Sequence, residues 1–167
     1  MRWVIHIALP FLALFLQSTF FSFYSIKGAM PDILLIFVVF FAMLNGAKQA
    51  PVYGFFCGLL EDLYLGRFIG MNALSKCLTA WVVGHLQGNV FKENLLVGIS
   101  SVVVGTLVNC FFVLLFSLVG LRTINWDISI LGLVLFQVLY NSVLAGPIYV
   151  WYYHSSHYGM LRDTGEK

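Results

Sequence analysis

Residues 128–161 read ISILGLVLFQVLYNSVLAGPIYVWYYHSSHYGML, without one Asp, Glu, Lys or Arg. A bilayer hydrocarbon core about 30 Å thick takes roughly 20 apolar residues of helix to cross. This stretch is longer than that, so its first reading is a membrane-spanning helix. Residues 94–121 and 3–26 are uncharged in the same way.

Working outward, the whole chain has this character. Of its 167 residues 60% are hydrophobic and only 10% charged, against about 25% charged in a water-soluble domain. A folded aqueous domain has no room beside the helices, and a single polytopic domain, residues 1–167, is expected. The net charge of +2 is scattered among loops and gives no nucleic-acid footprint. Cys57, Cys77 and Cys110 sit in apolar sequence without metal-ligand spacing and read as small hydrophobes. The first apolar run is too long for a signal-peptide core and lacks a small-residue cleavage site, so it reads as a retained helix.

Turn signals divide the chain into six helices, at about residues 3–23, 31–44, 51–65, 71–86, 95–119 and 128–153. Pro31-Asp32 suits a helix start, since proline is tolerated in the first turn and an acid meets the positive end of the dipole. Asn45-Gly46 and Gly88-Asn89 are helix-ending pairs, Gly66-Arg67 marks another turn, and Pro147 is a candidate kink. The second, third and fourth helices are short for spanning. Either they tilt in a thinned bilayer or they are partly buried behind longer ones, the two C-terminal helices forming a wall. With the N-terminus inside, the inner segments carry Arg2, Lys48, Lys92, Arg162 and Lys167, and the outer loops Lys27, Arg67 and Arg122. That bias places both termini in the cytoplasm. Trp3, Trp126, Trp151, Tyr152 and Tyr153 fall at helix ends, where an interfacial aromatic belt belongs.

The polar and small residues of residues 54–88 carry the most information. Gly54, Gly58, Asp62, Gly66 and Gly70 recur every four residues, and so do Asn72, Lys76, Ala80, Gly84 and Gly88. Small residues at that spacing let helix backbones approach closely, which matters where lipid is as apolar as the side chains. A lysine inside the bilayer is costly, by roughly 2.5–3.5 kcal/mol on insertion scales. Two readings of Lys76 stand: an interaction, direct or through water, across an antiparallel hairpin with Asp62, Glu61 being the lesser candidate, or a side chain that snorkels to the interface. Glu61 and Asp62, about 100° apart on a helix, do not converge as a catalytic dyad.

On the last helix Gln137, Asn141 and Ala145 form a secondary polar line, echoed by Thr106 and Asn109 on the fifth. Interhelical hydrogen bonding is the plain reading, a ligand pocket the sharper one. His6 and His85 read as core or interface histidines. His154 and His157 are too few for a metal site. No cofactor is implied.

Residues 31–36 (PDILLI), 54–63 (GFFCGLLEDL), Gly66 and 70–76 (GMNALSK) together resemble the MreD family of bacterial rod shape-determining proteins. Arg67 departs from the small residue common there. The resemblance implies a non-enzymatic component of the inner (cytoplasmic) membrane that binds MreC. It would thereby help couple MreB filaments to peptidoglycan synthesis by RodA and a class-B penicillin-binding protein. It also implies a bundle like the S components of energy-coupling-factor vitamin transporters. A transporter S component that captures a vitamin is the alternative function. Against it, residues 7–15 of the first helix are bulky and lack the Ala-x-x-x-Ala face by which S components couple. A membrane enzyme is a third reading, without a catalytic constellation to carry it. In the favoured reading the glycine face of the third and fourth helices packs internally or receives the helix of MreC.

Overall fold

The computed structural model describes residues 2–21, 30–66, 69–86, 95–119 and 129–158. The expectations for Gly88-Asn89, for Arg67 and for Trp126 lie outside the described residues. So do the loop charges Lys27, Lys92, Arg122, Arg162 and Lys167, and the side chains of Trp3, Tyr153 and His157. The described residues are all-helical: α1 (Arg2–Leu16), continued by a π turn at Gln17–Phe21, then α2 (Ile33–Leu65), α3 (Met71–Leu86), α4 (Leu95–Val119) and α5 (Ser129–Tyr158). Among the described residues, three helical stretches are long and apolar enough to cross a membrane, Ile33–Leu65, Leu95–Leu118 and Ile130–Tyr152, with a shorter apolar one at Ile5–Thr19.

α2 is two helices joined at a single residue. Gly46 stands at φ 74° and ψ 177° within otherwise helical backbone, a conformation essentially restricted to glycine. Asp32 and Glu61 would lie about 43 Å apart on a straight helix, yet both reach the ammonium of Lys76. Phe41 and Tyr53 stack with ring centroids 4.1 Å apart across the same turn. The chain therefore doubles back at Gly46 into arms 33–45 and 47–65. The loop expected over residues 45–50 is reduced to that one glycine. Pro51 is compatible because it sits at the edge of the second arm's first turn and forfeits one backbone bond.

The first arm is the centre of the protein. Every residue from 33 to 43 is buried, as befits a helix apolar on all sides. α1, α3, α4 and α5 all pack against α2, and α4 also meets α3 and α5. Of the two readings of the short helices, burial behind the others is the one seen for this arm. Tyr149 and Tyr152 of α5 close over it against Phe40. Gly98 makes room there, since a Cβ would lie 2.5 Å from the Tyr149 ring. Tyr152 is thus a core residue at 2% exposure, and not part of an interfacial belt. Successive helical residues point about 100° apart, so Trp151 faces outward instead.

α1 is clipped on by a compensation. Pro10 has no N–H to give to the carbonyl four residues back, and Tyr53 Oη donates to that His6 carbonyl at 3.1 Å. The outer helices present large apolar residues outward, Leu96 at 72% and Val143 at 74% exposure among them. Such surfaces are a liability in water and ordinary in lipid. α5 continues through Pro147 to Tyr158, past the expected end at residue 153.

Candidate functional site: a buried ion triad

Lys76 is fully buried on α3. Its Nζ lies 2.7 Å from Asp32 Oδ2 and 2.5 Å from Glu61 Oε2. The direct Asp62–Lys76 pair expected from the sequence does not form, and neither does the snorkelling alternative. The reason lies in helix geometry. Neighbouring residues cannot face one target; Glu61 turns to the lysine, and Asp62 is left pointing at the start of α3.

There Asp62 does different work. Its Oδ2 accepts the backbone N–H of Gly70 at 2.8 Å and of Ala73 at 3.1 Å. Its Oδ1 accepts from the Asn72 backbone at 3.1 Å and from Asn72 Nδ2 at 2.9 Å. The first N–H groups of a helix have no internal partner, and here a carboxylate from the preceding helix satisfies them. A negative charge at that end also meets the positive pole of the dipole.

Asp32 has two roles. It is the N-cap of α2, Oδ1 accepting from Leu35 N–H at 2.8 Å, while Oδ2 holds Lys76. Its own N–H donates to Asn141 Oδ1 at 2.9 Å. Asn141 Nδ2 donates to Thr106 Oγ1 at 3.0 Å, and the Thr106 hydroxyl donates to Val102 O at 2.8 Å. One polar line, Glu61–Lys76–Asp32–Asn141–Thr106, therefore crosses both arms of α2, α3, α5 and α4. Gln137, one turn from Asn141, lies off this line with its Oε1 3.5 Å from Cys110 Sγ. Asn109 Oδ1 is buried without a hydrogen-bond partner among the described residues.

The glycines fall into two sets. Gly54 and Gly58 face α3 so closely that a Cβ on Gly54 would lie 2.6 Å from Lys76 O, and one on Gly58 would strike Asn72 O and the Ala73 backbone. Gly84 returns the contact against Ala47, its would-be Cβ 2.7 Å from the Ala47 backbone. Gly66 and Gly70 belong to the turn and not to a packing face. Both have positive φ, 63° and 107°, and a Cβ on either meets nothing within 4 Å. Gly66 ends α2 in the left-handed conformation with its N–H on Asp62 O at 2.9 Å.

Chemically, this arrangement fastens helices. Side chains of Lys76, Asp32 and Glu61 are 0%, 6% and 10% exposed, and they face one another. Among the described residues no cluster of three His, Cys, Asp or Glu could hold a metal. What sequence reasoning missed is Asp32 as the partner of Lys76. The signal was available: Asp32, Glu61 and Asp62 are the only acids between residues 28 and 92, and the helix pattern puts all three at one end of the bundle.

The family model of rod shape-determining protein MreD matches residues 1–155. No curated protein and no solved structure matches.

Proposed function

The chain belongs to the MreD family of rod shape-determining proteins, and from that premise we propose that it acts as a non-catalytic scaffold of the cell-elongation machinery. In this reading it binds MreC within the cytoplasmic membrane and helps couple MreB filaments to peptidoglycan synthesis by RodA and a class-B penicillin-binding protein. The observation that carries the reading is the use made of scarce charge. Asp32, Glu61, Asp62 and Lys76 are all buried and all joined to another helix or its cap. Buried groups that pair with one another join helices, whereas a group that acts on a substrate has to be reachable by it.

The proposed topology has six crossings: α1 with its π turn, the two arms of α2, α3, α4 and α5. The arms of about 20 and 28 Å and α3 of about 24 Å are short against a core of about 30 Å, which suits helices sheltered by longer ones. An S-component-like arrangement is the fold the family implies for such a bundle. An even number of crossings returns both termini to one side, and the loop charges favour the cytoplasm. Gly54 and Gly58 already receive the α3 backbone, so the helix of MreC meets the bundle on another face.

Affinity capture of the tagged protein from native membranes tests this. MreC among the captured proteins is the expected result. Capture of a transporter ATPase without MreC would replace the scaffold by the transporter reading.

A further inference from the structure

A groove of about 570 Å³ runs between α1 and the second arm of α2. Its walls are Ile7 and Pro10 on one side and Val52 and Phe56 on the other, with Phe41 and Tyr53 at its base. Lys48 and Gln49, both exposed, line it at the end nearest the Gly46 turn. We propose that this groove binds one acyl chain of an anionic phospholipid, with the phosphate on Lys48.

Three features select that occupant. Length is the first: residues 48 to 57 cover about 14 Å of helix, close to the roughly 15 Å of one leaflet's hydrocarbon. The groove thus begins at the turn and ends near the midplane, as an acyl chain does. Volume is the second. The groove falls in the range of small-ligand sites, about 300–1,000 Å³.

Charge is the third. The walls are apolar and the cation is exposed at the turn end, the order in which a phospholipid presents tail and headgroup. Anionic lipid attracts a juxtamembrane Lys by about a factor of five. In the topology proposed above, the Gly46 turn lies at the cytoplasmic face, where anionic headgroups give the leaflet its negative potential. The choice of leaflet rests on that reading; the groove and its cation do not.

Native mass spectrometry of the full chain, released from detergent after exchange into phosphatidylglycerol or phosphatidylcholine, tests the proposal. The wild type is expected to retain one phosphatidylglycerol about five-fold better than phosphatidylcholine. Lys48→Gln should abolish that preference while keeping some retention of both. Val52→Trp, which fills the groove, should lower retention of both. Val143→Trp, on the outer face of α5, should change neither, and circular dichroism checks that each variant is folded. Equal retention of the two lipids by the wild type would overturn the proposal, as would unchanged retention in Val52→Trp. A Val52→Cys variant that crosslinks to MreC with no lipid retained would overturn it in favour of a helix. Lipid retention is read without MreC, so failure of the scaffold reading leaves this result intact.

Discussion

Lys76 on α3 and Asp32 at the head of α2 form an ion pair at 2.7 Å that no part of the lysine shares with water. Through Glu61 the same ammonium also holds the returning arm of α2. One side chain thus closes the hairpin at the end opposite Gly46 and ties it to α3. Removing one partner of a buried pair typically costs 3–5 kcal/mol, because the other charge is left uncompensated.

The coupling should be specific. A double-mutant cycle of Lys76→Met with Asp32→Asn, read as thermal unfolding in detergent, is expected to show an interaction above about 1 kcal/mol. The cycle of Lys76→Met with Asp62→Asn should give less than about 0.5 kcal/mol, since Asp62 serves the α3 N-terminus. Equal coupling in both cycles would put Asp62 back beside the lysine.

Glycines at packing and non-packing sites should separate. Gly58→Ala forces α3 away from the second arm and should cost about 1–3 kcal/mol. Gly132→Ala, where a Cβ meets nothing within 4 Å, should be neutral or stabilising by up to about 1 kcal/mol. Unfolding midpoints of the two variants provide the comparison.

The hairpin turn should tolerate only glycine. Gly46→Ala places a Cβ on a backbone at φ 74°, and a loss of about 1–3 kcal/mol is expected from strain. Gln49→Ala, exposed in the first turn of the second arm, should change little. A Gly46→Ala variant as stable as the wild type would contradict a chain reversal at that residue.

Tyr53 and Pro10 should compensate one another. Tyr53→Phe strands the His6 carbonyl and should cost about 0.6–1.7 kcal/mol, the range of interhelical bonds in membranes. Pro10→Ala restores a backbone N–H for that carbonyl, so Tyr53→Phe should cost less in its presence. Additive losses would show that the two residues are not linked.

Much of the architecture was legible because lipid imposes simple rules. The apolar runs located α4 and α5, and the fourth helix, residues 71–86, coincides with α3. Asn45-Gly46 marked the reversal, though not that one residue suffices, since sequence does not display φ and ψ. Four-residue glycine spacing indicated a close helix contact but could not separate Gly54 and Gly58, which touch backbone, from Gly66 and Gly70, which shape a turn. Lys76 stood out by its cost. Of its two partners, Glu61 was legible as the lesser candidate within the hairpin, whereas Asp32 was not, because it comes from an arm that is distant in sequence. Asp32 was read only as a helix-start acid, and a side chain with two oxygens can cap and pair at once.

The most direct test is a neutral replacement of the whole triad. Lys76→Met alone should destabilise the protein by about 3–5 kcal/mol, lower its capture of MreC and impair rod shape in cells. Lys76→Met with Asp32→Asn and Glu61→Gln leaves no stranded charge, and it should recover stability, MreC capture and rod shape together. A triple variant that regains stability yet cannot support rod shape would contradict the account, because the charges themselves would then be needed for more than joining helices.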